Sequence, residues 1–568
     1  MNLIPMPKKM TKKEDCFENT AVKPVHTICD ERLLKAIEKL PVSDSGAELY
    51  VTIANEKNEK YVIEIFRNKI TLNAGSERGA FYGIQTLRQI FKSGKIPCCR
   101  IEDEPDFKYR GFYHDVTRGK VPKLETLKEL VDMLAYFKMN SLQLYVEHTF
   151  EFKEFADSIE RTGYLTADEI RELDRYCTEN YIEFIPSLAT FGHLFELLIK
   201  DKYKHLAECD DYKPEQIFWN DRMDHHTIDP TNPESFELIK SLLDQYMPLF
   251  SSDKFNICCD ETFDLINGKH KGMDTGKMYI DFVCKIADYL KSKGKTVMMW
   301  GDILLTYPEQ IDKLPEDIIL LNWDYRAEPD KKRIECIKNA GKNQIVCPGI
   351  HTWFTFCESL SDSIPNIHNM AYYGYEFGAE GLLNTSWGDY GNPCSIDLSL
   401  TGICFGAEKA WNVKSDEKSF FERIDSLVYG FCGASEHIRE LSDIQTNLTW
   451  MNFVLEYSNK VYPKKLEVVL PDGQKLIEVH TRCDNLLAKL YDECWGNDEV
   501  REELIIATQA IMLMSEILCE QNGISVEQKV NMDDWLKKYR AAWLERNKES
   551  ELCEIEKVFV NFRNIHNS

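Results

Sequence analysis

The sequence predicts an α/β protein built on a TIM (β/α)8 barrel, with an α+β domain before the barrel and an α-helical domain after it. Three observations support this fold class. Short apolar segments alternate with amphipathic helical segments between residues 105 and 412, eight such apolar segments can be counted, and polar or aromatic side chains follow each of them. The chain has 568 residues, too many for one core, so several domains are expected.

Residues 1–104 are predicted to form an α+β domain without catalytic residues. Strands are expected at residues 48–53, 61–66 and 69–73, where apolar residues alternate with polar ones or run together. A helix is expected from Ser76 onwards, because apolar residues recur at helical spacing as far as Phe91. We expect this domain to pack against the barrel.

Residues 105–412 are predicted to form the catalytic barrel. Its first helix is the clearest, with leucines 124, 127, 130 and 134 on one face. Active sites in this fold lie at the carboxyl ends of the strands, so the residues that follow each strand are the candidates for chemistry. The eight strand candidates lie near residues 110–116, 141–146, 182–188, 254–259, 296–300, 318–323, 344–348 and 380–385.

Residues 413–568 are predicted to be an α-helical domain. The strongest helical patterns cover residues 498–522 and 533–548, and residues 465–470 form a strand or an extended link. The apolar helix faces could pack on the barrel or could form a homodimer, and the sequence leaves both interpretations open.

Composition narrows the class of protein and its partners. A net charge of −25 argues against nucleic acid or an anionic membrane surface as a partner. The amino terminus has no continuous apolar segment of the kind found in secretion signals, and no other segment is long enough to span a bilayer. The 19 cysteines are scattered without a C-x-x-C pair, which favours a reduced interior over a disulfide framework. We therefore expect a cytoplasmic protein.

Neither a metal ion nor another cofactor is expected. The sequence has no H-E-x-x-H motif, and His225 and His226 are adjacent, so their side chains diverge. It also has no glycine-rich phosphate loop, which argues against a barrel that handles phosphorylated substrates.

The central candidate is the acidic pair Asp260-Glu261, which ends the apolar segment beginning at Phe255. Successive strand residues point to opposite faces, so both acids can face one pocket only where the strand has just ended. Crowding two carboxyl groups pushes their pKa values apart, and glycoside hydrolysis needs one protonated and one ionised carboxyl group. Taken alone, the pair could equally consist of a helix-capping Asp260 and a solvated Glu261.

The other strand ends point to a carbohydrate site. A lone histidine or tryptophan is usually structural, but carboxylates, histidines, arginine and tryptophans at all eight strand ends form a pattern. Tryptophan faces can stack on sugar rings, while carboxylates and arginine bind hydroxyl groups. These residues are Asp115 and Arg118, Glu147 and His148, His193, Asp260 and Glu261, Trp300 and Asp302, Trp323 to Tyr325, His351 and Trp353, and Trp387, Asp389 and Tyr390.

At these residues the chain resembles the β-N-acetylhexosaminidases of glycoside hydrolase family 20, in particular bacterial members that lack a secretion signal and carry a helical C-terminal domain. The resemblance runs in order from about residue 48 to residue 412. Besides the acid pair, the stretches that carry it are Arg110-Gly-Phe-Tyr-His-Asp-Val-Thr-Arg118, Lys138-Met-Asn140, Leu142-Gln-Leu-Tyr-Val-Glu-His-Thr-Phe150, Pro186-Ser-Leu-Ala-Thr-Phe-Gly-His193, Met299-Trp-Gly-Asp302 and Asn384-Thr-Ser-Trp-Gly-Asp389.

The resemblance implies an exo-acting enzyme that removes terminal β-linked GlcNAc or GalNAc with retention of configuration. The substrate's own 2-acetamido oxygen attacks the anomeric carbon and forms an oxazolinium ion, an exception to the usual two-carboxylate scheme. Glu261 would be the acid and then the base, which requires a raised pKa, and an ionised Asp260 would orient the acetamido group.

The resemblance also implies roles for the residues around the acid pair. Arg118 matches an arginine that binds hydroxyl groups at the non-reducing end, and Trp387 and Asp389 match residues on the far side of the sugar. Trp300 matches an aromatic wall around the acetamido group, and His193 matches a histidine that supports the acids. The remaining expected pocket residues are Glu147, His148 and Trp353.

Two departures from the family pattern bear on these roles. The widespread motif H-x-G-G-D-E is Asn256-Ile-Cys-Cys-Asp-Glu261 here, so cysteines replace both glycines. The family's tyrosine that holds the acetamido oxygen is absent after strand seven, and Tyr325 is the proposed substitute, with Tyr390 second.

Two alternatives to this function remain open. One is a β-glycosidase with a separate carboxylate nucleophile, for which Glu147, Asp302 and Asp389 are candidates. The other is a catalytically inactive sugar-binding protein. The choice between GlcNAc and GalNAc, the linkage and the oligomeric state are not determined by the sequence.

Overall fold

The computed structural model describes residues 1–25, 30–92, 94, 96–157, 163–209 and 212–565. An α+β domain, a barrel and a helical region follow one another along the chain, so the predicted fold class is confirmed. Across the described residues, no helix is both long and apolar enough to span a membrane. The cysteines within these residues are all free, and the cytoplasmic location stays a prediction.

The N-terminal sheet contains the three predicted strands and three that were not predicted. Six described strands, β1 to β6, pair in the order β1-β6-β4-β5-β3-β2. The sequence analysis missed β1 because it is a charged, exposed edge strand, and it missed β2 because that strand is only three residues long. Strand β6 was missed as well. The six strands are Lys9–Cys16, Val22–Pro24, Ala47–Ile53, Tyr61–Ile65, Lys69–Ala74 and Pro97–Asp103. Helices Glu31–Glu38 and Glu77–Lys92 accompany them.

Eight parallel strands of the described chain close into the barrel. Strands β7 to β13 are neighbours in order, and β15 pairs with both β13 and β7, which completes the circle. A two-residue strand, β14 (Gly349–Ile350), adds to β15. The eight strands are β7 (Tyr109–Asp115), β8 (Ser141–Val146), β9 (Glu183–Leu188), β10 (Lys254–Asn256), β11 (Thr296–Trp300), β12 (Ile319–Trp323), β13 (Asn343–Cys347) and β15 (Gly381–Ser386).

The bounds of seven barrel strands agree with prediction to within about two residues, but β10 ends three residues early. It stops at Asn256 because the backbone turns left-handed at Cys258, with φ of 58°, and Cys259, with φ of 65°. A left-handed residue cannot continue a strand.

The helices of the barrel region pack around the strands. They are Leu124–Tyr136, Ala167–Glu179, Phe195–Leu198, Phe218–Asp221, Pro233–Tyr246, Asp264–Asn267, Thr275–Ser292, Asp302–Thr306, Lys331–Asn339, Leu360–Phe377 and Leu400–Trp411. Short 3-10 turns occur at Lys153–Phe155, Lys204–Leu206, Met247–Leu249, Pro308–Lys313 and Ile396–Ser399.

The C-terminal region is helical and packs on the barrel. The Phe356 ring, from a barrel loop, lies 5.5 Å from that of Trp450 and 6.3 Å from that of Trp535. Burial on the barrel therefore uses apolar faces of this region, and a homodimer stays a prediction. Residues 465–470 belong to neither a helix nor a strand. The helices are Phe420–Ile424, continued by a π turn at Asp425–Tyr429, then Ala434–Gln445, Trp450–Val461, Gly473–Asp492, Asp498–Gln521, Met532–Arg546 and Leu552–Asn564.

Candidate active site

A cavity of about 390 Å³ opens at the carboxyl ends of the barrel strands. This size suits a small-molecule ligand. Nine of the eleven predicted site residues line it, both acids included: Arg118, Glu147, His193, Asp260, Glu261, Tyr325, Trp353, Trp387 and Asp389. Seven other residues also line it: Trp219, Arg222, Met223, Trp323, Phe354, Tyr390 and Met451.

The acid pair stands on a strained turn at the end of β10. Cys258, Cys259 and Glu261 all have left-handed backbone, which costs an L-amino acid roughly 1–2 kcal/mol per residue. Hydrogen bonds support the turn: the Cys258 N–H donates to Asn256 Oδ1 at 3.0 Å, and the Glu261 N–H donates to Asp302 Oδ2 at 3.0 Å. The left-handed φ at both cysteines explains why glycine suits these positions in the family motif.

His193 lies between the two acids. Its Nε2 is 3.5 Å from Asp260 Oδ2 and 3.4 Å from Glu261 Oε2. Burial lowers the pKa of His193, but the two carboxylates outweigh burial and raise it to about 10. His193 is therefore an imidazolium at neutral pH.

His226 is a neutral ring that stacks on the His193 ring and accepts a hydrogen bond from the His193 backbone. The backbone N–H of His193 donates to His226 Nδ1 at 2.8 Å, and the two rings stack with centroids 4.9 Å apart. Burial and the charge on His193 lower the pKa of His226 to about 4, so its Nδ1 is free to accept this bond.

The pKa of Glu261 is lowered in this site, whereas the sequence analysis expected it to be raised. Burial raises the pKa of this carboxyl, but His193 and Arg118 outweigh burial and lower it below its usual range. The neighbouring acid Asp302 shows the opposite behaviour, because burial and the charge on Asp260 raise its pKa to about 7. His193 thus lowers the pKa of Glu261, whereas burial and a crowded like charge raise the pKa of Asp302.

Arg118 joins three carboxylates at one side of the cavity. Its Nε lies 2.9 Å from Asp389 Oδ1, its Nη1 lies 3.1 Å from Asp115 Oδ2, and its Nη2 lies 3.7 Å from Glu147 Oε1. The guanidinium also lies over the Trp387 ring, 5.2 Å from its centroid. This arrangement presents both donors and acceptors to a polar ligand.

Aromatic side chains form much of the remaining wall. The Trp387 Nε1–H donates to the Tyr325 hydroxyl at 2.7 Å, and the Tyr325 ring lies 5.1 Å from that of Trp353. The Trp323 ring stacks on Tyr325 at 5.0 Å. Flat apolar faces of this kind suit the apolar face of a sugar ring.

Two predicted site residues do not line the cavity. Trp300 is fully buried, and its ring lies 5.1 Å from the Tyr113 ring and 5.8 Å from the Trp387 ring. It therefore packs behind the residues that line the cavity. His148 is also buried, with its Nδ1 3.7 Å from Glu147 Oε2. Both follow strands as predicted, but their side chains pack behind the residues that face the ligand space.

Several cavity residues were missed by sequence reasoning. Trp219, Arg222 and Met223 lie in the long connection after β9, and Met451 belongs to the C-terminal helical region. Only the unusual length of that connection, from residue 188 to residue 233, could have drawn notice. Phe354 was missed as well, although it follows the predicted Trp353.

One group of side chains has the spacing of metal ligands within the described residues. Donor atoms of Glu208, Asp229 and His270 all lie within 4.8 Å of one another. The group has an alternative explanation, because His270 Nδ1 lies 2.8 Å from Glu208 Oε2 as a hydrogen bond. Lys269 Nζ also lies 3.9 Å from Asp229 Oδ2, and this cation opposes a metal ion.

Comparisons with known proteins agree with this geometry. The family model "Glycosyl hydrolase family 20, catalytic domain" matches residues 107–379, and "Glycosyl hydrolase family 20, domain 2" matches residues 1–104. Together the two models cover about two thirds of the chain.

Individual relatives are distant. A beta-hexosaminidase of Porphyromonas gingivalis is 25% identical over 361 residues, which cover 54% of this chain and 46% of the relative. A beta-hexosaminidase of Vibrio furnissii is 24% identical over 349 residues, covering 54% of each. This chain therefore spans about half the length of the curated relatives it matches.

A solved structure extends the similarity to the whole chain. The X-ray structure of a Flavobacterium johnsoniae chitobiase aligns with a TM-score of 0.61 at 19% identity, covering 98% of this chain and 99% of that one. At this identity the alignment supports the fold alone. With both family models matched in order over the N-terminal domain and the barrel, the chain belongs to glycoside hydrolase family 20.

Proposed function

We propose that the protein is an exo-acting β-N-acetylhexosaminidase that hydrolyses terminal β-linked GlcNAc or GalNAc with retention, by substrate-assisted catalysis. The observation that carries this proposal is the pair Asp260-Glu261 sharing the His193 imidazolium inside a cavity that also holds the Arg118–Asp389 ion pair. The family membership and the names of the curated relatives support the same substrate class.

Asp260 is proposed to hold the acetamido group. Its Oδ1 is buried and has no hydrogen-bond partner among the described residues, while its Oδ2 lies near His193. A buried acceptor without a partner is costly, so a ligand N–H that reaches it gains a strong hydrogen bond. An ionised Asp260 would orient the acetamido N–H and stabilise the positive charge that develops on the oxazolinium ring.

Glu261 is proposed to exchange protons with the leaving group and with water. In the first step the acetamido oxygen forms a bond to the anomeric carbon, the glycosidic C–O bond breaks, and Glu261 gives its proton to the departing oxygen. In the second step Glu261 takes a proton from water as that water attacks the anomeric carbon, which reopens the oxazolinium ring. The protein itself forms no covalent bond to the sugar.

Glu261 must be protonated when the sugar is bound, although contact with His193 lowers its pKa. A neutral sugar that fills the cavity excludes water, and desolvation raises a carboxyl pKa. A hydrogen bond from the acetamido N–H also stabilises the ionised form of Asp260, and this neighbouring negative charge favours the protonated form of Glu261. We infer that binding of substrate raises the pKa of Glu261.

Tyr325 is proposed to bind the acetamido oxygen. It lines the cavity, and its hydroxyl accepts a hydrogen bond from Trp387 and is also hydrogen-bonded to Thr385. Binding of the acetamido oxygen therefore requires the Tyr325 O–H to turn from Thr385 to the ligand. Burial raises the pKa of Tyr325, which keeps that proton on the hydroxyl.

A separate protein nucleophile is the less favoured alternative. Glu147 and Asp389 are engaged by Arg118, which reduces their nucleophilicity. Asp302 accepts the Glu261 N–H and does not line the cavity. An inactive binding protein is disfavoured because a strained turn that carries two acids has no purpose in simple binding.

The test is release of nitrophenol from the β-GlcNAc, β-GalNAc and β-glucose glycosides by the wild type, Glu261→Gln and Asp260→Asn. We expect turnover of the N-acetyl sugars only, and a loss of about 10²–10⁴-fold in kcat in each variant. Turnover of the glucoside at a similar rate, or full activity of Asp260→Asn, would contradict substrate assistance and favour a separate nucleophile.

A further inference from the structure

Part of the cavity wall is contributed by residues that lie far along the chain from the ends of the barrel strands. Trp219 and Arg222 come from the short helix Phe218–Asp221 and the residue after it, and Met451 comes from the C-terminal helix Trp450–Val461. The Met451 N–H donates to the carbonyl of Phe354, another cavity residue, at 3.3 Å. The C-terminal region thus takes part in shaping the ligand space.

A buried carboxylate from the C-terminal region fixes this wall. Glu551 is 3% exposed, and its side chain accepts hydrogen bonds from Arg222 Nη2 at 2.5 Å and from Trp219 Nε1 at 3.1 Å. Arg222 Nη2 also donates to Glu196 Oε1 at 2.9 Å. The Glu551 backbone N–H donates to the carbonyl of Gly119, beside Arg118, at 3.1 Å.

The Trp219 indole packs against the loop that carries Asp389. A Cβ atom added to Gly391 would lie 2.5 Å from Trp219 Cζ2, so only glycine allows this approach. A Cβ added to Gly119 would lie 2.6 Å from Gly391 Cα. The two loops that present Arg118 and Asp389 are therefore in close contact with each other and with Trp219.

We propose that Trp219 is the end wall of the sugar subsite and that Glu551 is a positioning residue that holds Trp219 in place. The inference rests on the proposed function, in which Arg118 and Asp389 bind hydroxyl groups at the non-reducing end of the sugar. A rigid indole beside that ion pair leaves no space for a further sugar unit. The C-terminal helical region thereby restricts the enzyme to terminal residues with free hydroxyl groups at this end.

Glu551 suits this role because Trp219 and Arg222 both donate hydrogen bonds to its carboxylate. Without its carboxylate, the Trp219 N–H would lose its acceptor in a buried position, and Arg222 would keep only Glu196 as a charged partner among the contacts described above. Both changes favour movement of the indole away from its present position.

The experiment compares kcat/KM for nitrophenyl N-acetyl-β-glucosaminide and for its 4-O-methyl ether, which carries a substituent where a longer chain would continue. The enzymes are the wild type, Trp219→Ala, Glu551→Gln and the control Glu549→Gln, whose carboxylate is exposed and contacts Arg540. We expect the wild type and the control to prefer the unsubstituted sugar by at least about tenfold.

Trp219→Ala should remove most of this preference, and Glu551→Gln should reduce it with a rise in KM larger than the fall in kcat. A merely structural role would lower the melting temperature without changing the preference. An unchanged preference in Trp219→Ala would overturn the end wall, and an unchanged preference in Glu551→Gln would overturn its positioning role. Failure of the wild type on the unsubstituted sugar would overturn the proposed function, and the end wall with it.

Discussion

Replacing Gly192 with alanine is predicted to displace the acid pair. Gly192 precedes His193, and a Cβ atom built on it would lie 2.5 Å from the backbone carbonyl oxygen of Asp260. Its φ lies outside the left-handed region, so the backbone conformation itself tolerates alanine. The steric contact is therefore the main consequence of this substitution.

The size of the displacement follows from the contact. Real Cβ atoms essentially never approach within 3.0 Å of another heavy atom, so the two segments must separate by at least about half an ångström. The atom in contact belongs to the backbone, so no side-chain rotation relieves it. A misplacement of roughly 1 Å can cost about 10²-fold in rate, so we expect kcat to fall by about tenfold or more.

The assay measures kcat on the nitrophenyl N-acetylhexosaminides together with the melting temperature. Gly301→Ala is the matched control, because it also follows a barrel strand and its added Cβ would lie 3.5 Å from the nearest heavy atom, an ordinary contact. We expect the control to retain near wild-type kcat. Equal activities of the two variants would refute the argument that close approach at Gly192 positions Asp260.

Two further predictions follow from buried charges. The substitution His193→Asn removes the cation that lowers the pKa of Glu261, so the pKa of Glu261 should rise. The alkaline limb of the kcat/KM profile should then move to higher pH, while kcat itself falls. An unmoved alkaline limb would argue against this electrostatic role of His193. Glu408→Gln leaves Arg423 as a buried charge without its ionised partner, since the two are paired at 2.9 Å with side chains 1% and 3% exposed. We expect the free energy of unfolding in urea to fall by about 3–5 kcal/mol, against less than about 0.5 kcal/mol for the exposed control Glu422→Gln.

Local patterns were sufficient to predict the barrel and the position of its acid pair. Strands buried on both faces appear in the sequence as short apolar segments, and in the helices between them apolar residues recur with a period of 3.6 residues. Because parallel strands end at the same edge of a barrel, the residues that follow them could be placed together in advance. This reasoning brought nine of the eleven predicted residues to the cavity.

Charge states and backbone conformation at the acid pair required the tertiary structure. The sequence predicted a raised pKa for Glu261, but the position of the His193 imidazolium, 3.4 Å away, reverses the direction. Likewise, the identity of residues 258 and 259 as cysteines did not predict a left-handed backbone. That conformation depends on contacts such as the hydrogen bond from the Cys258 N–H to Asn256 Oδ1.

Sequence patterns also could not predict the proposed end wall of the cavity. Trp219 and Glu551 are 332 residues apart and lie in different parts of the fold. Periodicity reports only which face of an element is buried, and it carries no information on which distant residue covers that face. The sequence by itself therefore determined the barrel and the position of its acid pair, whereas tertiary packing decided the proton affinities of the acids and the shape of the cavity.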